Sequence, residues 1–195
     1  MENTPQTLQT PPAKVPVFIW VVIIALLAAM YGYAAYWDPS RPEKVVQNFY
    51  KAYFNEDYDT VASNLSVFWA VRLLPQYAEM KPAELISKRP EIEKSISQVI
   101  KEVEAAYNTP RDIKITILKQ YTKEGSTGAV VVYKFTEKSK NVGMEASILI
   151  KEQGRFRIFT MTPIDEQSLP EIKSVKIGEL DEQFNELLAA DVDDE

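Results

Sequence analysis

Histidine and cysteine are both missing from the chain, and much of the usual enzymatic vocabulary goes with them. Without cysteine there is no disulfide, no thiolate nucleophile, no Cys-based zinc site and no lipid attached at cysteine. Without histidine there is no Ser-His triad and no imidazole general base. Any metal site would need oxygen ligands alone. Clustered basic residues are missing too, so no stripe of Lys and Arg is available to face phosphates and no nucleic-acid partner is expected. These gaps leave no catalytic residue, cofactor or metal to assign, and they point to a protein that is not an enzyme.

The charge is unevenly spread. Of the net −6, residues 163 to 195 hold eleven acidic and two basic side chains, a net of −9, while the first 162 residues stand at +3. The acidity therefore belongs to a C-terminal tail. Residues 1–14, with Pro5, Pro11 and Pro12 among Thr and Gln, are too polar and proline-rich to fold and are expected to be a disordered tail.

Residues 15–37, VPVFIWVVIIALLAAMYGYAAYW, carry no charge between Lys14 and Asp38. At 1.5 Å per residue they reach about 34 Å, enough for the ~30 Å hydrocarbon core of a bilayer. Phe18 and Trp20 near one end, and Tyr31, Tyr33, Tyr36 and Trp37 near the other, suit the two interfaces. A cleaved signal peptide is the competing reading, but its apolar core is usually only about 7–15 residues long and follows several basic residues. The expectation is one uncleaved transmembrane helix in the cell membrane. Ala25/Ala29 and Ala28/Gly32 place small residues four apart, a spacing that allows a second helix to approach. Flanking charges conflict: Arg41, Lys44 and Lys51 outnumber Lys14 and the amino terminus, which favours a cytoplasmic domain. Asp38, Glu43, Glu56 and Asp57 accompany them, and large domains translocate despite small biases, so an extracytoplasmic domain is expected.

Beyond the span, Ser40 and Glu43 have capping-box spacing, and Pro42 suits a first helical turn. Val45, Val46, Phe49, Tyr50, Tyr53 and Phe54 then form an apolar helical stripe. Asn55 is the candidate for a left-handed helix end, Asp57 for the cap of a second helix from Tyr58, and Asp59 for its first-turn acid. Val67 to Leu74 is apolar on nearly all sides and reads as either helix or buried strand. A short helix after Pro82 and a longer one opened by Pro90 follow, the latter with Ile92, Ile96, Val99, Ile100 and Val103 on one face. Its Glu91, Glu93, Lys94, Lys101, Glu102 and Glu104 read as a solvated surface.

From Asp112 the apolar period falls from about 3.6 to 2. Four strands are expected around Ile113–Ile117, Val131–Phe135, Met144–Ile150 and Phe156–Ile158, with Glu152-Gln153-Gly154 forming a hairpin turn. Glycines 125, 128, 143 and 154 mark the connections. The fold class is α+β: an N-terminal transmembrane helix, then helices packed on a curved antiparallel sheet over residues 38–162. The acidic tail, 163–195, carries an amphipathic helix at about 179–190.

The stretch PEKVVQNFYKAYFNEDYDTVASNLS, followed by a long helix and a late meander, resembles the opening of nuclear-transport-factor-2-like, or cystatin-like, domains. The resemblance covers roughly residues 42–162 and implies a cone-like sheet whose mouth can hold a ligand. It also implies a domain of the kind bacteria carry behind one membrane anchor. Enzymes of that family, such as ketosteroid-isomerase-like proteins, place an acidic base and tyrosine or acid donors in the cone. Here Tyr53, Tyr58, Asp57, Asp59 and Tyr133 are the nearest analogues, and none matches a catalytic motif. Tyr53, Tyr58 and Tyr133 are accordingly the candidates for a ligand cavity.

The function expected from these features is non-covalent: a membrane-anchored binding or scaffold module engaging protein partners or a second copy. A sensor of a small lipid or peptide ligand is the alternative, and an acid/base enzyme the remote one. Leu180, Phe184, Leu187 and Leu188 form the tail stripe that would enter a partner's groove or fold back onto the sheet. Fold-back is favoured, because a free apolar stripe invites aggregation.

Overall fold

The computed structural model describes residues 22–28, 41–106 and 113–190. The chain divides into two units, Met1–Asp38 and Pro39–Glu195. In the first, residues 22–28 are helical, with Ile24, Leu26 and Leu27 exposed. Among the described residues no helix is long and apolar enough to cross a membrane. The remainder of the expected 15–37 span, the 1–14 tail and residues 191–195 lie outside the described residues.

The second unit opens with α1, Pro42–Phe54, started by the preset φ of Pro42. The expected capping box is not what starts it: Arg41 occupies the N-cap position without a side-chain bond, and Ser40 lies outside the described residues. At the other end the left-handed residue is Glu56, at φ 59°, not Asn55, at φ −97°. The amide of Asp57 bonds the carbonyl of Ala52 at 3.0 Å, and that of Glu56 bonds Tyr53 at 3.1 Å, the paired bonds of a Schellman end. That geometry puts the positive φ one residue beyond the cap. Asp57 then caps α2, Tyr58–Asn64, accepting the Thr60 amide at 3.1 Å.

The ambiguous apolar run resolves as helix: α3 is Trp69–Leu73. Strand character stops just before it, where Leu65 bridges Ile158 in parallel. Two helices complete the layer, α4 at Pro82–Ser87 and α5 at Arg89–Glu104, both opened by proline. Asp59 ties α2 to α5, accepting the Ser97 hydroxyl at 2.6 Å.

The sheet is curved, unclosed and antiparallel, with strands β1 (Ile113–Ile117), β2 (Lys123–Glu124), β3 (Gly128–Glu137), β4 (Lys140–Glu152) and β5 (Arg155–Ile164). Its order is β1-β3-β4-β5, and β2 joins the same edge of β3 as β1. Irregularities at Phe135/Thr136 and at Ile148/Leu149 bend the long strands. Gly143 lies inside β4 opposite Phe135, not in a connection as expected. Both long hairpins use two-residue turns with positive φ throughout, Lys138-Ser139 at 47° and 68° and Gln153-Gly154 at 50° and 81°.

Strand alternation sends Ala129, Val131 and Tyr133 to the helical layer, where they join Val46, Ile92 and Ile158 in the core. Gly128, Val130 and Val132 face the other way. The acidic tail forms α6 (Leu169–Ser174) and α7 (Ile177–Ala189), and α7 lies against that second face. A side chain on Gly128 would sit 2.9 Å from Leu180 and 3.1 Å from Phe184, so α7 can lie this close only over glycine.

Candidate functional site

The floor of the site is built where α1 crosses the middle of β3 and β4. Tyr50 and Tyr133 meet there with ring centroids 5.3 Å apart. The Tyr50 hydroxyl donates to Glu145 Oε2 at 2.6 Å, and the Tyr133 hydroxyl reaches the same oxygen at 2.9 Å. Ser147 lies 2.9 Å from the Tyr133 hydroxyl, and Met161 Sδ 3.7 Å from that of Tyr50. Burial, reinforced by Tyr133 and Glu145, pushes the Tyr50 pKa far above the ordinary phenol value. Burial and the Glu145 charge raise that of Tyr133. Both phenols are therefore neutral donors to the carboxylate.

Above this floor opens a groove of about 520 Å³, walled by Phe49, Tyr53, Phe54, Phe135, Val142 and Met161. A second, smaller recess of about 240 Å³ adjoins it across Phe49, Tyr53 and Met161 and runs between α2, α3 and α5. At the rims Val142 and Val103 are 52% and 51% exposed, large apolar side chains left in water where the cavities meet solvent. The Tyr53 hydroxyl donates to Glu104 Oε1 at 2.7 Å, anchoring the ring between the two spaces.

The three tyrosines singled out from the sequence thus part company. Tyr53 lines the groove and Tyr133 lies beneath it, fully buried. Tyr58 belongs elsewhere, in a polar depression of about 750 Å³ with Asp59, Lys94 and Lys101. Another depression, about 410 Å³, is lined by Lys51, Asp57, Arg155 and Arg157. Both depressions hold charges of both signs: the one around Tyr58 has three carboxylates and two lysines, and the other has three cations and one carboxylate.

The groove residue that sequence reasoning missed is Glu145. In β4 the apolar set Met144, Ala146, Ile148 and Ile150 reads as the core face, yet Glu145 and Ser147 are the residues opposite Tyr133 and Val131. The alternation was visible, but the sheet buries both faces, so period alone did not say which set faces the helices. Glu91 and Glu104, expected to be merely solvated, accept the hydroxyls of Tyr77 and Tyr53.

The tail stripe is turned toward the domain. Phe184 is buried and meets Phe159 edge to face at 5.1 Å, while Leu180, Leu187 and Leu188 are half-buried. Asp181 fixes α7 by accepting the amides of Ser126, Thr127 and Gly128 at 2.8, 2.9 and 2.7 Å. Lys123 adds two bonds to the carbonyls of Lys173 and Val175.

Fold and site define an α+β domain with an apolar, aromatic groove over a tyrosine-carboxylate floor. Compared with known proteins, the chain matches no family model, no curated sequence and no solved structure.

Proposed function

We propose that this protein is a non-covalent binding module of the nuclear-transport-factor-2-like kind, held at the cell membrane by one span, whose ligand site is the groove over Tyr50 and Glu145. The observation that carries the reading is an open, apolar cavity of about 520 Å³ with one polar cluster at its base. That is the size and lining of a small-molecule site. The order of helices and the curved, unclosed sheet support the family placement. Binding is favoured over acid/base chemistry because the phenol protons of Tyr50 and Tyr133 point at Glu145. Enolisation needs such donors aimed at the substrate oxygen.

The test is photolabelling of the full chain in its membrane with a short alkyl diazirine probe, followed by peptide mapping. Labelling concentrated on the segments bearing Phe54, Val142 and Met161, and reduced by Val142→Trp, supports the reading; even labelling over the domain refutes it. Exposed Val103 and Val142 favour a second reading, in which a partner protein, or a second copy, covers the groove mouth. Cross-linking from these two positions in native membranes distinguishes the two. Protease protection in sealed cells tests the extracytoplasmic placement: cleavage only after lysis would overturn it.

A further inference from the structure

We infer that the groove selects an organic ammonium cation, an alkylammonium whose head sits between Glu145 and the aromatic walls. This rests on the groove being the ligand site and adds the charge and chemical class of its occupant.

Charge gives the first argument. Among the described residues, those lining the groove and its adjoining recess include Glu145 at the groove floor and no lysine or arginine. The other two depressions contain cations of the protein's own; among the described residues this pair of spaces holds none. A carboxylate over a largely apolar cavity is costly unless a counter-charge meets it.

Geometry gives the second. Both phenols bond Glu145 Oε2, and no hydrogen bond among the described residues reaches Oε1. The carboxylate is thus held rigidly by one oxygen, with the other available to a ligand. Since Tyr50 and Tyr133 spend their protons on Glu145, neither is left to donate to an anion. A bound anion would meet only repulsion. A neutral hydroxyl would gain one hydrogen bond and leave the charge uncompensated.

The walls give the third. Tyr50 and Phe135 lie edge to face at 5.2 Å, and Phe49 and Tyr53 stack in parallel at 6.3 Å, so four rings line the groove that holds the carboxylate. Ring faces attract cations, most strongly when these are alkylated and poorly hydrated, and a carboxylate beside them adds full charge pairing.

The experiment uses three short alkyl diazirine probes differing only in the head: trimethylammonium, hydroxyl or carboxylate. Each is photolysed with the full chain in its membrane, and labelling is quantified on the groove peptides. The expected result is about ten-fold more groove labelling by the ammonium probe than by either other. E145Q, which retains an acceptor for the phenols, should bring the ammonium probe down to the level that the hydroxyl probe reaches in the same variant. Equal labelling by all three heads, or an undiminished ammonium preference in E145Q, would overturn cation selection while leaving the groove as a ligand site. No groove labelling by any probe would remove the ligand site itself. Should E145Q fold poorly, seen as lost hydroxyl labelling, the wild-type ratio decides alone.

Discussion

Asp181 Oδ1 accepts the amide N–H of Gly128 at 2.7 Å, joining the middle of the C-terminal helix to the first residue of β3. The same carboxylate takes the amides of Ser126 and Thr127, so one side chain closes the whole β2–β3 turn onto the tail. Asp181→Ala should therefore free α7 before it unfolds the domain. Hydrogen exchange of residues 177–189 should accelerate while exchange in β3 and β4 stays slow. Uniform acceleration would mean that the tail is not a separable unit.

The clasp also has a pH signature. Burial alone would raise the Asp181 pKa, but the amides of Gly128, Thr127 and Ser126 outweigh it and hold the value below the ordinary carboxylate range. With the folded value lower than the unfolded, the stabilisation is complete above pH ~4 and lost as pH falls through the folded value. Protection of α7 should be flat from neutrality to about pH 5 and decline in more acid solution. In Asp181→Ala the acid-dependent step should vanish; its survival would assign it to other carboxylates.

Gly128→Ala tests the packing without touching charge. The new methyl would lie 2.9 Å from Leu180 Cγ, so helix or strand must yield. The expected loss is about 1–3 kcal/mol in urea unfolding. A neutral result would show that α7 moves freely on the sheet.

Glu152 is buried at the end of β4 and bonds both Arg89 and Ser66, the latter at 2.5 Å. Arg89 keeps Glu93 as a second partner, at 3.1 Å. Glu152→Ala removes the buried partner of the Arg89 guanidinium and of the Ser66 hydroxyl, and should cost about 3–5 kcal/mol. Glu93→Ala, on a more exposed side chain, should cost about 1 kcal/mol or less. Equal losses would refute the assignment of the pair's strength to Glu152.

Of the ten tyrosines, Tyr50 and Tyr133 should resist ionisation most strongly, because burial raises both pKa values, as it also raises that of Tyr77. A raised folded pKa means stability that is intact below the unfolded phenol value of about 10 and lost as pH climbs above it. Ultraviolet titration should show the phenols of Tyr50, Tyr133 and Tyr77 lagging behind the exposed ones, with Tyr50 and Tyr133 ionising only as the fold collapses. Tyr50→Phe should remove one such phenol and cost about 1.5–3 kcal/mol, the loss of a bond to a charged acceptor.

Much of the architecture was legible before the structure. The change of period at residue 112, the prolines that open α1, α4 and α5, and the Asp57 cap all act through neighbours in sequence, so local pattern sufficed. The C-terminal helix was legible for the same reason, its stripe of Leu180 and Phe184 requiring an apolar face to cover. Less was legible where a choice depended on distant partners. Val67–Leu74 became α3, and only Leu65 bridges β5. Glu56 took the left-handed φ because the bonds to Ala52 and Tyr53 fix its position in the helix end, overriding the milder intrinsic preference of Asn55.

Outside Val67–Leu74, the sequence by itself determined the main element types, the charge division between body and tail, and the absence of histidine and thiol chemistry, because each follows from residue identity and short-range spacing. Tertiary structure alone decided which face of β4 would meet the helices. Alternation presents two faces to a sheet covered on both sides, and only the arrival of Tyr50 from α1, ninety-five residues before Glu145, turns that carboxylate into the floor of a groove.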